Sequence, residues 1–127
     1  MSKTWINEVE DTYKDHRYVV KLQQLGHRCG YIEILPDECV DENYLEVHGG
    51  ITFRDVVTPD DDTDYLPVGV WIGFDCAHIQ DTADVDATMN AFGTAPGYVN
   101  RDPGSVVRSL QYCIDECRSV IDQIVEQ

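Results

Sequence analysis

From Val106 to the end of the chain, apolar residues recur at Val106, Val107, Leu110, Ile114, Cys117, Val120, Ile121 and Ile124. That is the three-to-four spacing of one face of an α-helix. A helix with a single apolar face has to bury it against another layer. Asp102 can cap the start and Pro103 suits the first helical position. The spacing therefore predicts one helix of about 35 Å closing the chain, at 1.5 Å per residue.

The preceding residues alternate as strands do. Residues 8–14, 17–24 and 27–34 read as a meander with turns at Asp15-His16 and Leu25-Gly26, and Tyr18, Val20 and Leu22 face away from Arg17, Val19 and Lys21. Pro36 ends the third strand, and an acidic loop runs from Asp37 to Asn43. Gly49-Gly50 suits the positive φ angles of a two-residue hairpin turn between Tyr44–His48 and Ile51–Asp55. That hairpin would set His48 opposite Ile51 and Glu46 opposite Phe53. A polar loop follows through Asp60, Asp61, Asp62 and Pro67. Val68–Asp75 is the most hydrophobic segment and the expected central strand. Residues 79–102 are poorly patterned, with a short helix expected near Thr82–Met89, and such long loops tend to be functional or mobile. The reading is α+β: an antiparallel sheet of about five to six strands packed against one long C-terminal helix, as a single domain over residues 1–127, a length that supports one core.

Nine basic residues face twenty-four acidic ones, for a formal net charge of −15. Carboxylates recur in every segment, a pattern that fits a surface adapted to molar salt, where the Debye length falls to about 3 Å. The same excess argues against nucleic acid as a partner, since phosphates need a basic footprint. No apolar run approaches the roughly 20 residues of a membrane span, and the first residues do not resemble a signal peptide. Five cysteines, an odd number without framework spacing, suit reduced thiols in a cytoplasm. Cys113 and Cys117 share a helix face with apolar neighbours and read as small buried hydrophobes.

In the strand from Val68, Gly69, Trp71, Gly73 and Asp75 share one face. Either they form a floor and an aromatic wall for a planar ligand, or the glycines admit a close neighbour. Asp75, His78 and Asp81 are metal-ligand types, and His48 could add a fourth, a set suited to Zn, Mn or Fe. A hydrogen-bonded polar network explains the same residues without metal. Arg108 could meet an anion or pair with a carboxylate. His16 and His27 read as turn or surface residues. No phosphate-cradling glycine loop, G-x-S-x-G elbow or H-E-x-x-H motif is present, and no nucleophile is identifiable.

Three ordered segments carry a resemblance: Gly26-His27-Arg28-Cys29-Gly30-Tyr31, His48-Gly49-Gly50-Ile51-Thr52-Phe53 and Trp71-Ile72-Gly73-Phe74-Asp75-Cys76-Ala77-His78. Together with Arg108, Leu110, Tyr112 and Glu116, they resemble a family of short phage and prokaryotic proteins with GHxCGYV, HGGLTY-like and WWxGFDCAHxGD segments and a C-terminal R-x-L-x-Y-x-x-x-E helix. Val70 replaces the first Trp of that pattern, and Gln80 the Gly before Asp81. The resemblance implies a haloarchaeal or haloviral member, acting in the host cytoplasm if viral, and supplies no activity.

The leading expectation is a non-enzymatic protein that binds a small polar, nucleotide-like ligand, such as a viral accessory protein that sequesters a host signal. Its pocket would be lined by His48, Phe53, Trp71, Asp75, His78 and Arg108. The alternatives are a metal-dependent hydrolase using His48, Asp75, His78 and Asp81 to bind a divalent metal, and a structural or interaction protein of a halophilic virus. Self-association into a homo-oligomer stays open.

Overall fold

The computed structural model describes residues 3–61 and 64–127. Met1, Ser2, Asp62 and Thr63 lie outside the described residues, so the expected Asp60–Asp62 loop is described only as far as Asp61. Five strands form one antiparallel sheet: β1 (Trp5–Tyr13), β2 (His16–Gln23), β3 (Arg28–Ile34), β4 (Phe53–Val57) and β5 (Gly69–Asp75), in the order β1-β2-β3-β5-β4. A two-residue pair, β6 (Asp81–Thr82) with β7 (Val106–Val107), is parallel. Helix α1 spans Val85–Phe92, and α2 spans Leu110–Glu126.

The predicted alternation decides the two faces of the sheet. Tyr18, Val20, Ile32, Ile72 and Phe74 point to one side, where Cys113, Cys117, Val120, Ile121 and Ile124 of α2 close the main core. Cys113 and Cys117 are fully buried there, as small apolar side chains. The opposite face carries a second, smaller core of Val19, Tyr31, Val57, Leu66 and Trp71, flanked by Phe53 and Tyr65. No helix among the described residues is long and apolar enough to cross a membrane.

Several expected boundaries move, each for a local reason. The first turn lies at Lys14 and Asp15, both at positive φ, and His16 belongs to β2, buried between the Lys14 carbonyl and the Glu38 carboxylate at 2.7 Å each. β1 begins earlier than expected and carries an irregularity between Asn7 and Val9. The Glu8 carboxylate there receives Arg28. β5 is paired with β3 on one side and β4 on the other, an interior strand as its hydrophobic run predicts.

The Tyr44–His48 strand does not form. A 3-10 turn covers Glu42–Tyr44, and α2 supplies the partners that a neighbouring strand would have given. Gln123 bonds both the N–H and the carbonyl of Glu46, and Glu116 accepts from the N–H of His48. Gly49 and Gly50 do make a turn, with Gly50 N–H on the Val47 carbonyl, but the chain then runs along β5. The pairings His48–Ile51 and Glu46–Phe53 are therefore absent.

The final helix is shorter than the stripe suggested. Ser109, not Asp102, caps it by accepting from the N–H of Tyr112. Val106 and Val107 are instead drawn into the bridge with Asp81 and Thr82, and stay partly exposed. The short helix expected at Thr82–Met89 begins at Val85, because Asp84 caps it and Asp81–Thr82 pair as strand.

Candidate functional site

The carboxylate of Asp81 is the centre of the polar cluster. Its side chain is 1% exposed. Oδ1 accepts from Arg108 Nε at 2.8 Å. Oδ2 accepts from His48 Nε2 at 2.9 Å and from the His78 N–H at 3.0 Å, and His78 Nδ1 stands 3.4 Å away. Burial pushes this carboxyl upward, but the hydrogen bonds from Arg108, His48 and the His78 backbone outweigh it and hold Asp81 at about 2. Asp81 is thus ionised at neutral pH, inside the protein, with donors on both oxygens.

Each partner is fixed from a different part of the chain. The Val47–Gly50 turn presents His48, whose Nδ1 lies 2.8 Å from the Tyr112 hydroxyl while its N–H bonds Glu116. Residues Arg108, Tyr112 and Glu116 follow at four-residue steps along one side of the entry to α2. Deeper in, the buried Arg28 guanidinium pairs with Glu8 at 2.6 Å and Asp84 at 2.8 Å, and donates to the Arg108 carbonyl at 3.0 Å. That bond ties the start of α2 to β3.

His78 is held more loosely. Its ring is 38% exposed, with Nε2 at 3.7 Å from Asp75 Oδ1, beyond hydrogen-bond reach. Asp75 spends its oxygens on the Thr52 hydroxyl at 2.8 Å and the Ala77 N–H at 3.2 Å.

His48, His78 and Asp81 could hold a metal ion: one ligand atom from each lies within 4.8 Å of the others. A metal bound at 2.1 Å sets neighbouring donor atoms roughly 3.0–3.4 Å apart in octahedral or tetrahedral geometry. The two separations at Asp81 Oδ2, 2.9 Å and 3.4 Å, already sit near that range. Beside this cluster lies a cleft of about 360 Å³ lined by His27, Ala77, His78, Ile79, Asp81, Tyr98, Asn100 and Asp102.

Of the residues expected to form one pocket, His48, His78, Asp81 and Arg108 come together, and Asp75 stands at the rim on the far nitrogen of His78. Trp71 and Phe53 do not join them. Trp71 is fully buried in the second core, its Nε1 donating to the Pro67 carbonyl, and Phe53 packs edge-on to Tyr31. The glycine floor beside Trp71 is filled: a Cβ on Gly73 would stand 2.7 Å from the Tyr31 ring. Of the two readings of those glycines, close approach of a neighbour is the one this packing shows. Sequence reasoning passed over His27 and Tyr98 of the cleft, and named Tyr112 and Glu116 only through the resemblance.

The segments that carry the resemblance meet here. His48 comes from the second, Asp75 and His78 from the third, and Arg108, Tyr112 and Glu116 from the C-terminal pattern. Arg28 of the first segment supports Arg108 from behind. No protein-family model, no curated protein and no solved structure matches the chain.

Proposed function

We propose that this protein binds a small polar ligand in the cleft beside Asp81, through a divalent transition-metal ion held by His48 Nε2, His78 Nδ1 and Asp81 Oδ2. The observation that carries the reading is the arrangement of outer atoms. In metal sites a ligating imidazole bonds through its second nitrogen, and a ligating carboxylate is itself hydrogen-bonded. His48 has Tyr112 on Nδ1 and Asp81 has Arg108 on Oδ1, so the half-buried His48 and the buried Asp81 are both oriented toward the shared point. Three protein ligands and an open side toward the cleft leave coordination positions for a ligand.

Metal content of protein purified without chelators is the first test. About one zinc or manganese per chain is expected, falling to background in a His48→Ala, His78→Ala double variant. Background metal in the wild type, with none taken up on adding Zn or Mn, would refute the proposal.

A second reading, a metal-dependent hydrolase, uses the same three ligands and the same open side to activate water. Metal-dependent turnover of ester or phosphodiester substrates, abolished with the metal, would favour it over simple binding.

A further inference from the structure

We infer that Asp75 is a positioning residue of the metal site: its carboxylate accepts the Nε2–H of His78 when His78 Nδ1 takes the metal, and does not itself ligate. The inference rests on the metal site proposed above and fills the one outer contact that site leaves open. His48 is oriented through Nδ1 by the Tyr112 hydroxyl, and Asp81 through Oδ1 by Arg108. His78 has no such bond. The group paired with its Nε2 is Asp75 Oδ1, at 3.7 Å.

Ligation itself decides the state of that nitrogen. A neutral imidazole carries one proton, so a metal on the Nδ1 lone pair leaves the proton on Nε2, which becomes a donor. A carboxylate beside it is an acceptor. Closing 3.7 Å to the 2.7–3.2 Å of an N–H···O bond takes a shift of about 0.5 Å or a little more, the size of ordinary thermal displacement. The hydrogen bond would fix the ring and raise the basicity of Nδ1 toward the metal.

Asp75 is held in place for this. Its Oδ1 accepts from the Ala77 N–H at 3.2 Å, and its Oδ2 from the Thr52 hydroxyl at 2.8 Å. The Thr52 N–H in turn bonds the Gly73 carbonyl of the same strand. The side chain therefore links the end of β5 to the loop that carries His78. A carboxylate oxygen offers about two lone pairs, so Oδ1 keeps one for His78 beside Ala77. Direct ligation fits less well: His48, His78 and Asp81 bring ligand atoms within 4.8 Å of one another, and Asp75 is not of that group.

Zinc affinity of the whole chain in molar KCl, measured by competition with a chromogenic chelator, tests the inference. Asp75→Ala is expected to weaken zinc about 10- to 100-fold, the usual scale for losing an outer-shell partner. Asp75→Asn should lose less, since its amide oxygen still accepts, and Thr52→Val, at an exposed position, should lose a smaller factor too. The same Asp75→Ala change in a His78→Ala background separates positioning from general damage. Its effect passes through His78, so the residual zinc affinity should then stay unchanged. Should Asp75→Ala fail to fold, nitrogen NMR of the zinc-loaded wild type and of Asp75→Asn keeps the test: the metal is expected on Nδ1 of His78 and the proton on Nε2. Unchanged zinc affinity in Asp75→Ala, an equal loss in both backgrounds, or zinc on Nε2 would overturn the inference while sparing the metal site. Wild-type protein that takes up no zinc would remove both.

Discussion

The α-carbon of Gly49 lies directly against the His78 ring: a Cβ built there would stand 2.5 Å from Nε2 and 2.9 Å from Nδ1. Gly50, the next residue, has nothing within 4 Å of its corresponding position. Both have positive φ, 71° and 79°. Alanine at either position pays the left-handed backbone penalty of about 1–2 kcal/mol. Only Gly49→Ala also pushes His78 out of place. We expect Gly50→Ala to lower stability by that amount and leave zinc affinity unchanged, and Gly49→Ala to weaken zinc at least about tenfold. Matching zinc titrations for the two variants would show that His78 does not need this turn.

Asp81 gives metal-free protein a distinctive acid response. Its folded-state value of about 2 lies below the ordinary 3.8. A depressed carboxyl contributes stability that is present above 3.8 and lost as the pH falls through that value toward 2. At 1.36 kcal/mol per unit the contribution is on the order of 2 kcal/mol. Urea unfolding of stripped wild type should weaken across this window, and Asp81→Asn should be destabilised at neutral pH while losing part of the acid dependence. An unaltered acid limb in the variant would contradict the assignment.

Lys21 predicts a slope of the same sign at alkaline pH. It is fully buried on the second face, with Nζ 3.9 Å from the Trp5 ring centroid, 4.3 Å from that of Tyr65, and bonded to Asn7 Oδ1. Burial is the largest influence and, despite nearby Glu10 and Asp64, lowers the amine to about 8. The unfolded chain holds that proton up to about 10.4. Folding is penalised below 8, and the penalty lifts as the pH rises toward 10. Stability should therefore climb between pH 8 and pH 10 in the wild type, and Lys21→Met should be more stable at pH 7 without that climb. A flat profile in the wild type would be inconsistent with an ammonium buried in this way.

What could be read from the sequence was periodic. The alternation of Tyr18, Val20 and Leu22, and the stripe from Leu110 to Ile124, are direct consequences of helix and strand geometry, and they place the sheet, the helix and the core between them. The sequence also marked His48, Asp75, His78 and Asp81 as chemically unusual. It could not show that Tyr44–His48 would take its backbone partners from Gln123 and Glu116, because those are side chains about seventy residues away. Trp71 was misplaced for a related reason: alternation put it on the Asp75 side correctly, but only the loop carrying Leu66 and Pro67 decides that this side is filled. Arg108 was named from the sequence, and Tyr112 and Glu116 were within reach, since they follow it at four-residue spacing and share one face of α2.

X-ray absorption at the zinc edge of the loaded protein reads directly whether His48, His78 and Asp81 bind one metal ion. A first shell of nitrogen and oxygen at about 2.0–2.1 Å is expected, with imidazole scattering from two histidines that falls to one in His78→Ala. A sulfur shell near 2.3 Å, which would place the ion among the buried cysteines, or a shell without imidazole, would contradict it.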